Sequence, residues 1–247
     1  VGVSVRNPHE DTLNATVRIS GLHPDGWRLA TGDTTRFTVQ PGETVDREFR
    51  FTRPRERLLP LPYAVIQREY RGNLLPSVRQ PLPLAPDSVF RPVTEWHVAG
   101  VFSPDADSAT VIALTTGRPL EGPPTASRVD WRTASVVDGV LSLDRLFGLR
   151  DSSVAYATFA LFSPREHVTL GRIRANDRAD LFVNGVQANE QPFRVTSSDS
   201  DYALLPLRAG WNLIVVRVGN VTGRWTLSMQ VADPEGDLRL AGSRPRG

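Results

Sequence analysis

Residues 176–187 read NDRADLFVNGVQ. The apolar run that begins at Ala179 stops at Asn184-Gly185, the dipeptide that tolerates the positive φ angles of a type I′ turn, and VQ follows. The stretch is therefore read as a strand, a hairpin turn and the start of a returning strand. Around it lie further strand candidates: EWHVAGVF (95–102), VAYATFALF (154–162), HVTLGRIRA (167–175), DYALLPL (201–207), NLIVVRVG (212–219) and RWTLSMQVAD (224–233). LSLDRLFG (141–148) has the form of a short helical turn. A series of short strands separated by turns is what a jelly-roll sandwich requires, and no period of 20–50 residues points to a solenoid or propeller.

The N-terminal part repeats this grammar. VGVSVR (1–6), NATVRIS (14–20), TRFTV (35–39) and DREFRF (46–51) alternate apolar with polar residues, which buries one face of a sheet and wets the other. Asn7-Pro8, His23-Pro24-Asp25-Gly26 and Pro41-Gly42 supply turns between them. Prolines at 76, 81, 83, 86 and 92 strip donors from the chain and stiffen it, so residues 76–93 are expected to be a Pro-rich linker. The expected fold is all-β: a sandwich over 1–75, the linker, a second sandwich over 94–238 and an Arg-rich tail over 239–247.

Two resemblances refine that expectation. NPHEDTLNATVRISGLHPDGW followed by FTVQPGETVDREFRF resembles the immunoglobulin-like domains that accompany bacterial secreted glycosidases and deacetylases, with Trp27 as the core tryptophan after the corner. WHVAGVF (96–102), ADLFVNG (179–185), AGWNLIVVRV (209–218) and GRWTLSMQVADPEG (223–236), in that order, are similar to the galactose-binding-like jelly-roll domains appended to secreted hydrolases. The resemblances imply a fold more than a ligand, because such folds host sugar binders, spacers and interaction modules alike.

The chain has 247 residues, 40% hydrophobic and 23% charged, which is globular and enough for two cores. All 29 basic residues are arginine and the net charge is +2, with acids and arginines interspersed, so no nucleic-acid partner is expected. There is no cysteine, which removes disulfides, thiolate metal sites and cysteine nucleophiles, and fits a bacterial periplasmic or secreted address. LIVV (213–216) and YATFALF (156–162) are far too short to cross a bilayer as a helix. The opening VGVSV begins within a strand pattern, which leads us to expect a segment before Val1.

Candidate site residues divide into ligand and partner groups. Asn176, Asp177 and Asp180 carry acceptors suited to sugar hydroxyls or calcium, but the same residue types form turns without any ligand. Asp105/Asp107 and Asp199/Asp201 repeat the D-x-D spacing without a third spaced ligand, so no metal or other cofactor is expected. Trp96, Trp211 and Trp225 fall in strand motifs and are expected to fill core, whereas Trp131, in RVDWRTA, is the indole expected to face a ligand. His9, His23, His97 and His167 have no metal-ligand spacing, and no nucleophile elbow or phosphate loop occurs, so the chain is expected not to be an enzyme. Arg239, Arg244 and Arg246 could lie across a partner and pair with carboxylates or lipid phosphates.

Two functions follow. One is a non-catalytic structural subunit docked by protein contacts on a larger assembly, such as a membrane complex. The other is a carbohydrate-binding accessory region of a secreted glycosidase or sugar deacetylase.

Overall fold

The computed structural model describes residues 1–22, 26–54, 61–105, 131–136, 138–188 and 201–242, together with the backbone of 193–195. Within these the protein is all-β and built as β-sandwiches. The chain divides into two compact units, Val1–Ser88 and Val89–Gly247.

In the first unit β1 (Gly2–Arg6), β2 (Leu13–Ser20), β3 (Arg28–Leu29), β4 (Thr34–Val39), β5 (Thr44–Glu48), β6 (Phe51–Thr52), β7 (Tyr63–Tyr70), β8 (Asn73–Leu74) and β9 (Val78–Pro81) follow in order. One sheet runs β4-β2-β7-β8 with β9 on β7; β1 pairs β5, and β3 pairs β6. Alternation places Leu13, Ala15, Val17 and Ile19 of β2 inward. They pack with Val3 and Val5 of β1 and Ala64 and Ile66 of β7 in one core. Each buried Val, Leu or Ile among them contributes roughly 1.5–3 kcal/mol. Trp27 is buried, as its place after the corner led us to expect.

The central strand β7, YAVIQREY, is absent from the strands expected from sequence. Its inward positions alternate as the others do, with Ala64 and Ile66 buried. Asn7 fixes the first turn: fully buried, its Nδ2 donates to the Asp11 and Val39 carbonyls at 2.8 and 2.9 Å, while its Oδ1 accepts from the His9 amide at 3.0 Å.

Residues 76–93 differ from the expected linker. Val78–Pro81 pairs with β7 and Leu82 is fully buried in the first core, while Phe90–Pro92 pairs within the second unit. Both are strands at sheet edges, where a proline costs no ladder hydrogen bond, so the prolines signal edge position here and not a free connector.

The second unit contains β10 (Phe90–Pro92), β11 (Glu95–Phe102), β12 (Arg132–Ser135), β13 (Leu141–Ser142), helix α1 (Leu143–Phe147), β14 (Ser153–Ser163), β15 (His167–Ala175), β16 (Asp177–Val183), β17 (Val186–Gln187), β18 (Phe193–Val195), β19 (Asp201–Leu207), β20 (Gly210–Asn220), β21 (Thr226–Ala232) and β22 (Arg239–Ala241). The smaller sheet runs β10-β21-β15-β19 with β13 on β21. The larger runs β12-β11-β14-β20-β16-β17, with β18 on β16 and β22 on β14. Trp96, Phe159, Leu161, Ile173, Leu181, Ile214, Trp225 and Met229 belong to the core shared by strands of both sheets.

β14 is buried along nearly its whole length, which is why it reads as a near-continuous apolar run. Its Ala155, Ala157, Phe159 and Leu161 join the main core, whereas Val154 and Tyr156 join Val215 of β20 in a second apolar cluster.

Candidate functional site

The acceptors before the hairpin are engaged by the protein itself. Asn176 Nδ2 donates to the Arg224 carbonyl at 2.8 Å. Asp177, at φ 74°, accepts the Val221 and Thr222 amides on Oδ2 at 2.6 and 3.2 Å and so ties the loop after β20 to the start of β16. Asp180 is buried to 5% exposure and takes Arg217 Nη1 at 3.2 Å, with Arg178 Nε at 3.7 Å. Arg217 Nη2 also donates to the Pro104 carbonyl at 3.1 Å. All three therefore serve as turn and strand fixtures.

Trp131 is half-buried and packs, with Phe102, Phe182 and Leu213, against Val154, Tyr156 and Val215. It is part of an aromatic cluster and not a free-standing platform. Tyr156 lies at the centre of that cluster, edge-on to Phe102 at 5.4 Å, and its buried hydroxyl has no hydrogen-bond partner among the described residues. Burial raises its pKa above the usual tyrosine value, Arg217 pulls it down and the Asp180 charge adds to the rise.

Of the remaining expectations, Asp105 belongs to a local turn in which its amide meets Ser103 Oγ at 3.3 Å, and Asp201 opens β19. His23, Asp107, Asp199, Arg244 and Arg246 lie outside the described residues. Arg239 is engaged within its own chain: β22 pairs with β14, and the guanidinium carbon stands 3.9 Å from the Phe162 ring centre and 5.8 Å from that of Trp211. His9 stacks on Tyr70, and Thr133 Oγ1 approaches His97 Nε2 at 3.4 Å. No group of three or more His, Asp or Glu gathers as a metal site among the described residues.

Polar and apolar groups do converge at the Asn184-Gly185 hairpin. Its φ angles are 52° and 82°, and Val183 pairs with Val186 across it, which is the two-residue turn read from the sequence. Beside it opens a cleft of about 470 Å³. Glu166, His167 and Arg208 contribute its charged and polar rim, and Val168, Val183 and Pro206 its apolar wall.

Three chain segments meet at this cleft through one side chain. Asn212, 1% exposed, accepts Asn184 Nδ2 at 2.8 Å and the Arg208 amide at 2.9 Å on Oδ1. Its Nδ2 approaches the carbonyls of Leu161, Arg208 and Gly210 at 3.3, 2.9 and 3.1 Å. Asn184 Oδ1 in turn accepts the Leu213 amide at 3.0 Å. A side chain with donors and acceptors on both ends satisfies what an apolar residue of this size would leave unpaired.

His167 is held from one side. Ser163 Oγ donates to the Arg165 carbonyl at 2.6 Å, so the hydroxyl proton is committed there. His167 Nδ1, 3.3 Å from both that hydroxyl and that carbonyl, must then be the donor. In the neutral ring this makes Nε2 an acceptor, and it has no partner among the described residues. A carboxylate and a guanidinium beside an apolar wall can sort hydroxyl-bearing ligands by hydrogen-bond direction.

Sequence reasoning did not single out Glu166, Arg208 or Asn212, and it treated His167 only as an isolated histidine. No protein-family model matches the chain, and none of the curated proteins matches it significantly. Among solved structures, an anti-sigma factor domain-containing protein is similar at 11% identity and TM-score 0.38, over 97% of this chain and 80% of that one. The α-L-rhamnosidase from Dictyoglumus thermophilum is similar at 16% identity and TM-score 0.32, over 97% of this chain and only 26% of the enzyme. The Pleurotus ostreatus lectin is similar at 12% identity and TM-score 0.29, over 100% of this chain and 78% of the lectin. At such TM-scores these likenesses carry no functional argument.

Proposed function

We propose that this chain is a non-catalytic accessory protein of the bacterial cell exterior or periplasm that binds carbohydrate in the cleft beside the Asn184-Gly185 hairpin. In this reading the first unit is immunoglobulin-like and the second a galactose-binding-like jelly roll. The observation that carries it is the rim: Glu166 and Arg208 offer a carboxylate acceptor and a guanidinium donor, with His167 beside them, around a cleft with an apolar wall. Sugar hydroxyls both donate and accept, and a sugar ring has apolar C–H faces, so both halves of the lining find partners. The absence of cysteine supports the extracytoplasmic address.

Titrating the whole chain with a panel of neutral oligosaccharides by calorimetry tests this. Binding that falls about tenfold in Arg208→Ala and Glu166→Gln supports it, each change removing a charged hydrogen bond of about 1.5–3 kcal/mol. Binding that neither change weakens places the sugar elsewhere, and no binding to any neutral sugar sinks the reading.

A second reading, docking on a larger, membrane-associated complex, draws on a different feature. Leu149 and Val221 are 72% and 65% exposed. They stand on neighbouring loops fixed by the Ser152 amide to the Val221 carbonyl at 3.2 Å and by Asp151 Oδ1 accepting the Gly223 amide at 3.1 Å. Rigid apolar loop tips suit a protein partner. Recovery of the chain with membrane proteins from its source, lost in Leu149→Ser/Val221→Ser, would favour docking.

A further inference from the structure

The main sheet of the first unit turns a charged face outward. With Val17, Ile19, Ala64 and Ile66 directed into the core, alternation brings Thr16 and Arg18 of β2, Arg36 of β4, Tyr63 and Gln67 of β7 and Arg79 of β9 to the opposite face. Register fixes their neighbours. Arg18 lies opposite Thr34 on one side and Val65 on the other, and Val65 lies opposite Arg79. One row along, Thr16 lies between Arg36 and Gln67.

With strands about 4.8 Å apart, the Arg18 and Arg79 backbones stand about 10 Å from each other across β7, and Arg36 is diagonal to both. These side chains line a depression of about 490 Å³, and none of its described lining residues is acidic. Among the described residues, the nearest carboxylates by register are Glu69, in the row beyond Gln67, and Asp33, which accepts the Thr34 hydroxyl at 3.1 Å.

We propose that this face binds an anionic polysaccharide, with Arg18, Arg36 and Arg79 holding its charged groups and Thr16, Gln67 and Tyr63 its hydroxyls. Guanidinium groups match carboxylate and sulfate oxygens in pairs, and the neutral donors and acceptors between them suit a polymer with hydroxyls between its charges. A single-stranded nucleic acid would want a run of aromatic side chains for its bases, and Tyr63 is the one aromatic among the described lining residues. A protein partner would want a buried apolar anchor at the centre, where this face has Val65 and Tyr63 amid polar groups. The face belongs to the first unit, so this inference stands independently of the cleft in the second.

The test is affinity electrophoresis of the whole chain through gels carrying polygalacturonate, dextran sulfate or neutral dextran, with a DNA duplex as competitor. Retardation by one or both acidic polysaccharides and not by dextran is expected, and which polymer retards it tells carboxylate from sulfate recognition. Arg18→Gln/Arg36→Gln should weaken it by about tenfold or more, since each change removes a charge-assisted contact. Arg79→Gln provides an independent variant that should weaken retardation in the same direction. Retardation of both arginine variants equal to that of the unchanged chain, no retardation by either acidic polymer, or preferential binding of DNA overturns the proposal.

Discussion

Asn184 Nδ2 donates to Asn212 Oδ1 at 2.8 Å, joining the Asn-Gly hairpin to the start of β20 at the rim of the cleft. Replacing Asn212 with Ala would strip partners from buried carbonyls and from the Arg208 amide. Unpaired groups of this kind cost about 1–3 kcal/mol each before relaxation, so a total loss of about 3 kcal/mol is expected in urea unfolding. Asn212→Asp should cost at least as much, because a carboxylate offers no donor to the carbonyls of Leu161, Arg208 and Gly210.

Tyr156 gives the protein an alkaline weakness. Its folded pKa is raised by burial, so from a pH near 10 upward the unfolded chain releases this proton while the folded chain keeps it. The contribution of Tyr156 is complete below pH about 10 and is lost as pH rises above it. Tyr156→Phe should remove that share of the pH dependence and, by deleting a buried unpartnered hydroxyl, leave stability at pH 7 unchanged or raised by about 1 kcal/mol. Urea midpoints of both proteins at pH 8 and pH 11 check both points.

The Asp180 and Arg217 side chains are 8% and 18% exposed. Removing one partner leaves the other charge poorly solvated, so Asp180→Ala should cost about 2–3 kcal/mol, discounted from the fully buried case by the partial exposure of Arg217. Asp180→Leu/Arg217→Met should recover most of that loss, because two apolar residues of similar volume leave no orphaned charge. Thermal unfolding of the single and double variants decides it.

Arg239 covers Phe162 and Trp211. Arg239→Ala should cost about 0.5–1 kcal/mol for the lost cation–π contact and packing. Partly buried Trp211 should gain solvent exposure, read as a red shift in tryptophan emission.

Much of the fold was legible because alternation and turn chemistry agree. EWHVAGVF, HVTLGRIRA and DYALLPL coincide with β11, β15 and β19. β7 escaped because the polar and charged residues of its second half, Gln67-Arg68-Glu69, break the apolar alternation, and residues 76–93 were misread because a proline at an edge resembles a proline in a linker. The cleft was less legible. Asn176, Asp177 and Asp180 have ligand-like chemistry, but their partners are the Arg224 carbonyl, the Val221 and Thr222 amides and Arg217, which lie tens of residues away in sequence. One signal could have located the rim: successive antiparallel connections alternate ends, and with β17 and β18, both antiparallel to β16, counted as one return, the turns after β14, β16 and β19 share one end. Those turns carry Glu166, Asn184 and Arg208.

The most direct test of the account is a backbone-amide NMR titration of the whole chain with a neutral oligosaccharide series. The account predicts shifts concentrated at Glu166–Val168, Asn184–Val186 and Leu207–Arg208, saturating with ligand and needing about tenfold more ligand in Arg208→Ala. Saturable shifts confined to other surfaces, or none for any neutral sugar, would contradict it.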